Sequence, residues 1–391
     1  VARVLAEGAA AAGLDAGPFA PCTLATSGFA AFLAEHPFVM APMAGVSDAA
    51  WRLMARAGGA PVAYTEMVSA TGIYYHSDKT FELAVPNPAE GAVVVQLFGS
   101  NVAHMRYAAA LVAEELGPRL AAFDLNMACP VSKVVKKGEG SALLDTPELA
   151  EALVAACVEA GGVPVSVKMR LGRRMGELVA PTFARRMAAA GATAVGVHGR
   201  YASQLYRGES DAAAIARVVE AVDIPVIASG DVTSAQAAVA LKRATGAAGV
   251  FVARGTYGNP WIFNDAQGLV AAQNARGATQ KPREVAAAAS APDGAGKPAT
   301  PAPFSAGNEA LAGASGRDIA TRMAAFCLHV RLLEATGAHL ARARNLAGWY
   351  VRGVPEAAAW RRRAMAATTV AQYEAVAAAC VEACRAAGVE V

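Results

Sequence analysis

Between Phe38 and Phe263 the chain alternates short apolar, often β-branched runs with longer alanine-rich stretches. The runs are FVMAP (38–42), VAYTEM (62–67), VVVQLFG (93–99), AAFDLN (121–126), VPVSVKMR (163–170), AVGVHGR (194–200), IPVIASGD (224–231) and GVFVARG (249–255). Near-continuous apolar runs predict strands buried on both faces, and each gap leaves room for one return helix. Eight such units over roughly 225 residues have the size of a (β/α)8 TIM barrel, an α/β fold. A doubly wound open sheet is the other reading. It calls for a glycine-rich dinucleotide turn after the first strand, and PMAGVSD (42–48) is not one.

The flanks read differently. Residues 1–36 are an Ala/Gly-rich lead with no clear element before Ala30, taken as an N-terminal extension to a barrel over 37–276. In residues 277–316 Ala, Pro, Gly and Ser dominate, a composition that cannot bury a core; a disordered linker is expected, and limited proteolysis should cut there first. From Arg317 helical spacing returns through Ile319, Met323, Phe326, Val330 and Leu333. Two or three more helices should complete a small helical domain over 317–391. It carries Arg317, Arg322, Arg331, Arg342, Arg344, Arg352 and the run Arg361-Arg362-Arg363.

Composition narrows the class. With 55% hydrophobic and 17% charged residues, the 391-residue chain can build one large core and a smaller one. No apolar run approaches the ~18 residues of a membrane span. The N-terminus lacks the compact apolar region of a secretory signal. Six scattered cysteines form no disulfide framework, so a reduced, cytoplasmic setting fits. Cys380 and Cys384, four apart without nearby histidines, read as packing, and no metal is expected. A net charge of +3 leaves the question of a nucleic-acid partner to the distribution of charge.

The chemistry concentrates in residues 121–144, AAFDLNMACPVSKVVKKGEGSALL. A strand breaks at Asn126; Cys129 is pinned by Pro130, and Lys133, Lys136 and Lys137 follow. A thiol among turn-formers and charges is placed for acid, base or nucleophilic work, whereas a buried one is usually inert packing. The other strands also carry polar residues at their C-terminal ends: Met43 follows the first, Glu66 lies on the second and Gln96 on the third. Lys168 and Arg170 end the fifth, His198 and Arg200 the sixth. Taken singly, Gln96, Lys168 or His198 can be a satisfied core residue. Together they mark the rim where barrel enzymes build their sites. Ser229-Gly230-Asp231 and Ala253-Arg254-Gly255, after the last two strands, suit a phosphorylated cofactor, since backbone amides there can approach an anion. Lys168 would then stabilise charge on a reduced flavin, and Gln96 is the kind of amide that bonds a flavin edge.

MAPMAGVSDAAWR (40–52), QLFGS (96–100), DLNMACPVSKVVKKGEGSALL (124–144), VKMRLG (167–172), VHGRYASQLYRG (197–208), SGDV (229–232) and RGTYGNPWIF (254–263) resemble, in order, the tRNA-dihydrouridine synthases, in particular their bacterial B-type branch. The resemblance implies FMN in the barrel mouth, NADPH (or NADH) as reductant, and reduction of the C5=C6 bond of a uridine in tRNA. A monomer without metal or membrane attachment is expected. It implies that Pro42, Met43 and Ala44 line the flavin, that Gln96, Lys168 and His198 contact its ring or ribityl chain, and that Ser229, Gly230, Asp231, Ala253 and Arg254 hold its phosphate end. Cys129 becomes the general acid that protonates C5. Asn126 orients the uracil, Arg200 meets RNA or flavin phosphate, and Lys133 and Lys137, with Lys136, meet the RNA backbone.

Two positions depart from the family pattern. Ala128 stands where glycine is usual, which costs about 1 kcal/mol if that position needs a positive φ. Ser229 replaces an asparagine. The tRNA partner draws support from the arginines after residue 316, since phosphate contacts position a long anionic substrate while the barrel does chemistry. The same arginines can be an ordinary solvated face. The alternatives are an FMN-dependent reductase of a small molecule, of the dihydroorotate dehydrogenase or old-yellow-enzyme type, and a non-catalytic RNA-binding protein on a barrel scaffold.

Overall fold

A computed structural model describes residues 1–279 and 316–391. Nine parallel strands form one sheet: β1 (Phe38–Met40), β2 (Ala63–Tyr64), β3 (Val68–Ser69), β4 (Val93–Phe98), β5 (Leu120–Met127), β6 (Val165–Arg170), β7 (Ala194–His198), β8 (Val226–Ser229) and β9 (Gly249–Val252). Pairing runs β1-β9-β8-β7-β6-β5-β4-β2, with β3 a second short pairing on β4. The order is sequential apart from the β1–β9 ladder, in which Phe38 faces Val250 and Met40 faces Val252. That ladder brings the first and last strands together, and the sheet curls into a (β/α)8 barrel with its seam between β1 and β2. All eight runs read from the sequence are strands.

Period-two alternation sorts the strand residues between two cores. Val93, Val95 and Leu97, then Phe123, Leu125 and Met127, then Val167 and Met169 face outward into the core under the helices. The intervening positions face the barrel interior, where Val94, Ala122, Ala194, Ile227 and Phe251 pack together. Phe251 meets Tyr64 edge-on at 5.0 Å. This filling fixes Gly196, because a Cβ there would lie 2.6 Å from the Phe251 ring.

The lead segment differs from expectation. Helices run over Ala2–Gly8 and Leu24–Glu35, the second starting before Ala30 and breaking at Gly28. That break hides the helical period in the sequence. Leu24, Phe29, Phe32 and Leu33 join the inward-facing strand residues in one core, so the second helix packs against the barrel's inner layer. Helix Ile262–Thr279 follows the last strand.

After residue 316 come helices Ile319–Ala335, Ala343–Tyr350, Ala357–Ala366 and Val370–Ala386. The expected linker lies almost wholly outside the described residues. The helices continue the barrel's outer core. Leu328 abuts Gly8, His329 stands 5.2 Å from Trp51, and Trp349 stacks on Tyr257 at 4.0 Å. Among the described residues no helix is long and apolar enough to cross a membrane, and no group of three metal-ligating side chains is present.

Candidate active site

A cavity of about 490 Å³ opens at the C-terminal end of the barrel strands. The alternation that fills the barrel lower down delivers polar groups here. On β5 Asp124 and Asn126 share the inward face, and on β6 Ser166, Lys168 and Arg170 do. Register places Gln96 beside Asp124 and Asn126 beside Lys168. Gln96 Nε2 donates to Asp124 Oδ2 at 2.6 Å, and Asn126 Nδ2 donates to Gln96 Oε1 at 2.9 Å. Asn126 Oδ1 in turn accepts the amides of Ala128 (3.2 Å) and Cys129 (2.9 Å). A hydrogen-bonded line thus runs from a buried carboxylate to the cysteine loop. Asn126 fixes that loop with its carbonyl and keeps one amide hydrogen for the cavity.

Arg170 clasps the same loop from the other side. Its Nε donates to Ala128 O at 3.0 Å, and its Nη1 donates to Tyr201 O (3.0 Å) and Leu205 O (2.7 Å). Ala128 is buried without a positive φ, so its methyl group carries no backbone strain. Cys129, half-buried on the cavity wall, is a free thiol, as are the other five cysteines.

The electrostatics set the cavity's character. Burial lowers the pKa of the Lys168 ammonium, with Arg170 adding to the effect; Asp124 and Cys129 oppose it. No carboxylate lies within ion-pair reach of Lys168 among the described residues, and the ring of Phe251 is 5.8 Å from its nitrogen. A buried cation without a close anion calls for a ligand that carries negative charge. Burial raises Asp124, against the hydrogen bonds from Gln96 and Ser166. His198 lies well below the ordinary histidine range because of burial, then of Lys168, Arg170, Arg200 and Arg254. It is neutral at pH 7. Arg200 Nη1, only a donor, stands 3.3 Å from His198 Nε2, so Nε2 accepts and the ring proton sits on Nδ1.

At the far end, the backbone amides of Gly230, Asp231, Ala253 and Arg254 have no acceptor among the described residues. Asp231 takes φ +52°, uncommon for an L residue. Arg200 holds it through Nη2 at 2.8 and 2.7 Å, Ser210 N donates to it at 2.8 Å, and Arg254 approaches at 3.3 Å. Gly230 has φ +133° and no room for a Cβ, which would lie 2.1 Å from Ser210 Oγ.

Of the residues singled out in the sequence, Pro42, Met43, Ala44, Gln96, Asn126, Cys129, Lys168, His198, Ser229, Gly230, Asp231, Ala253 and Arg254 line this one cavity. Arg200 does not. It is 2% exposed behind the wall, its guanidinium spent on Asp231 and on the carbonyls of Arg207 and Gly208. Lys133 and Lys137 are exposed on the rim loop, outside the cavity. Sequence reasoning missed Met67, Tyr206, Thr233 and Tyr257 as lining residues, and gave Arg170 no role. Arg170 had a signal, since it lies two positions from Lys168 on one strand face. Tyr206, 60% exposed above Arg170 and Arg254, had none beyond its loop.

The cavity is an elongated seat with an apolar shelf at Pro42–Ala44, a buried cation midway, free amides at one end and a thiol above. These are the parts of a barrel enzyme built around a phosphorylated redox cofactor. A sequence model of the dihydrouridine synthase family matches residues 39–387, and the chain belongs to that family. It is 40% identical over 228 residues to the probable tRNA-dihydrouridine synthase 1 of Synechocystis sp., covering 58% of this chain and 63% of that protein. To tRNA-dihydrouridine synthase B of Pseudomonas syringae pv. tomato it is 37% identical over 238 residues, covering 60% and 68%. The matched stretch thus spans just under two thirds of the first relative. Among solved structures, histamine dehydrogenase from Rhizobium sp. 4-9 superposes with a TM-score of 0.45 at 14% identity, over 60% of this chain and 47% of that one.

Proposed function

We propose that the protein is a tRNA-dihydrouridine synthase that uses FMN, reduced by NADPH or NADH, to saturate the C5=C6 bond of uridines in tRNA. The observation that carries the reading is the placement of the free thiol of Cys129 on the wall of the cavity that also holds Lys168 and the free amides.

The residues present fit FMN. The amides of Gly230, Asp231, Ala253 and Arg254 would take the phosphate, with Arg254 as counter-charge, and the Met43 segment would seat the ring. That segment is held in place, since Ser47 Oγ bonds Met43 N at 3.0 Å and the Gly45 amide donates to Glu66. Bound there, FMN in its reduced form would supply hydride chemistry for C6 of the uracil. The proton for C5 comes from Cys129, and the thiolate left behind regains its proton from solvent. Lys168 would stabilise negative charge at the ring, and neutral His198 would offer a donor without adding a second buried cation. Arg170 and Asn126 keep the thiol in position from either side. The target base must leave its stack to reach a thiol on the wall of a cavity inside the barrel mouth.

The tRNA itself would meet the rim. Lys133, Lys136 and Lys137 are exposed on the loop after Cys129, and Arg361, Arg362 and Arg363 are exposed on the helix Ala357–Ala366. The basic face after residue 316 is narrower than its arginine count, because Arg317, Arg331 and Arg342 pair with Asp265, Glu374 and Asp48. The six free thiols support a reducing, cytoplasmic setting.

The test is the visible spectrum of the purified protein and the effect of Cys129→Ala. Flavin bands that bleach with NADPH and return anaerobically on adding unmodified tRNA are expected. Cys129→Ala should keep the flavin and lose uridine reduction by about 10²- to 10⁴-fold. A flavin reoxidised by a small enone or quinone but indifferent to tRNA would point to the small-molecule reductase instead.

A further inference from the structure

A second cavity, of about 370 Å³, lies on the other side of the cysteine loop. Pro130 borders both cavities, so the space begins one residue from the thiol. Its remaining walls include Val135, Ser141, Arg173, Arg174 and Leu205. No carboxylate is among them.

Two of these groups are arranged as donors. Ser141 is 0% exposed, and its amide donates to the Cys129 carbonyl at 3.0 Å. Its hydroxyl oxygen receives Arg173 Nη1 at a long 3.4 Å. The hydroxyl's own proton has no acceptor among the described residues, an unusual state for a buried polar group. Arg173 turns Nε toward Asp145 at 3.1 Å and keeps its other edge on the cavity side, with the side chain 25% exposed. Arg174 adds charge at the rim, where it reaches Glu177 at 3.4 Å. Pro130, Val135 and Leu205 supply apolar surface. The last of these is held at φ +54° with its carbonyl bonded by Arg170.

We propose that this cavity is a subsite for the nucleotide next to the uridine that reacts, with Arg173 and Ser141 holding its phosphodiester and the apolar wall receiving its sugar or base. The inference rests on the proposed reaction with tRNA. A nucleic-acid chain is continuous, so the neighbour of a base beside Cys129 must sit within one sugar–phosphate unit of it. The space bounded by Pro130 is where that unit can go. A guanidinium edge with a free hydroxyl donor is matched to phosphate oxygens.

The phosphates of the nicotinamide reductant share this chemistry, and the test separates the two sources. Arg173→Ala removes the fork, and Ser203→Trp, at an exposed position on the cavity's wall, fills the space without touching the core. For both variants the KM for unmodified tRNA should rise on the order of tenfold. Anaerobic bleaching of the flavin by NADPH should keep its wild-type dependence on NADPH concentration. For Arg173→Ala the slope of log affinity for tRNA against log salt should fall by about 1, which a merely structural role would not produce. Arg173→Lys should restore part of the affinity. Wild-type KM and salt slope in both variants would overturn the subsite, as would a weakened response to NADPH with tRNA unaffected. A wild-type protein that reduces no uridine in tRNA would instead overturn the reaction on which the subsite rests.

Discussion

Gly140 takes φ +61°, and a Cβ there would lie 2.7 Å from the carbonyl oxygen of Cys129 and 3.1 Å from its Cβ. It is the point where the return of the basic loop presses on the proposed acid. Gly140→Ala combines a positive-φ penalty with this overlap, so it should destabilise the protein by about 1–3 kcal/mol in urea titration. Because the strain falls on Cys129, uridine reduction should drop by far more than flavin content. A variant that loses flavin and activity in proportion would place the damage elsewhere. At this scale much of the site was legible. Lys168 and Asn126 could be placed by strand alternation and the Cys-Pro turn. The role of Arg200 could not, because its engagement with Asp231 depends on contact between loops 31 residues apart.

The helix Ile319–Ala335 carries a different kind of information. His329 is wholly buried between Trp51 and Tyr350, whose hydroxyl is 3.3 Å from Nδ1. Burial pushes its pKa down to about 3, from an ordinary 6.5. Between those values the unfolded chain binds a proton that the folded one refuses. The contribution is therefore complete above pH 6.5 and declines as pH falls toward 3, by about 2 kcal/mol near pH 5. His198 acts in the same direction. The urea midpoint should fall on acidification through this window, and His329→Gln should flatten that dependence. An unchanged slope in the variant would show that carboxylates alone govern it. The helix itself was readable from its apolar spacing. Its burial on both sides was not, since spacing shows one apolar stripe and not the second surface that covers His329.

Across the whole molecule, three segments distant in sequence close on one another. Leu328 seats against Gly8, Trp349 lies on Tyr257, and Arg342 bonds Asp48 at 2.6 Å and approaches Glu66 at 3.6 Å. Aromatic contacts of this kind weigh heavily in the energetics of an interface. The helices after residue 316 should therefore not unfold independently of the barrel. Thermal melts followed by tryptophan fluorescence, to which Trp51 and Trp349 in the seam contribute, and by far-UV circular dichroism should coincide. A chain ending at residue 279 should melt several degrees lower or aggregate. Two separate transitions, or an equally stable truncated barrel, would show that the seam contributes little.

The sequence alone determined what depends on neighbours along the chain: eight strands with return helices, the polar residues at their C-terminal ends, the helical period after Arg317, and the motif around Cys129. Those follow from local periodicity and turn chemistry, which a linear string carries in full. Only the tertiary structure decided which groups meet: the line from Asp124 through Gln96 and Asn126 to the cysteine loop, the retreat of Arg200 behind the wall, the packing of helix Leu24–Glu35 against the barrel's inner layer, and the cavity behind Pro130. Each depends on strand register, loop packing or desolvation, and those are settled only when distant segments exclude water from one another.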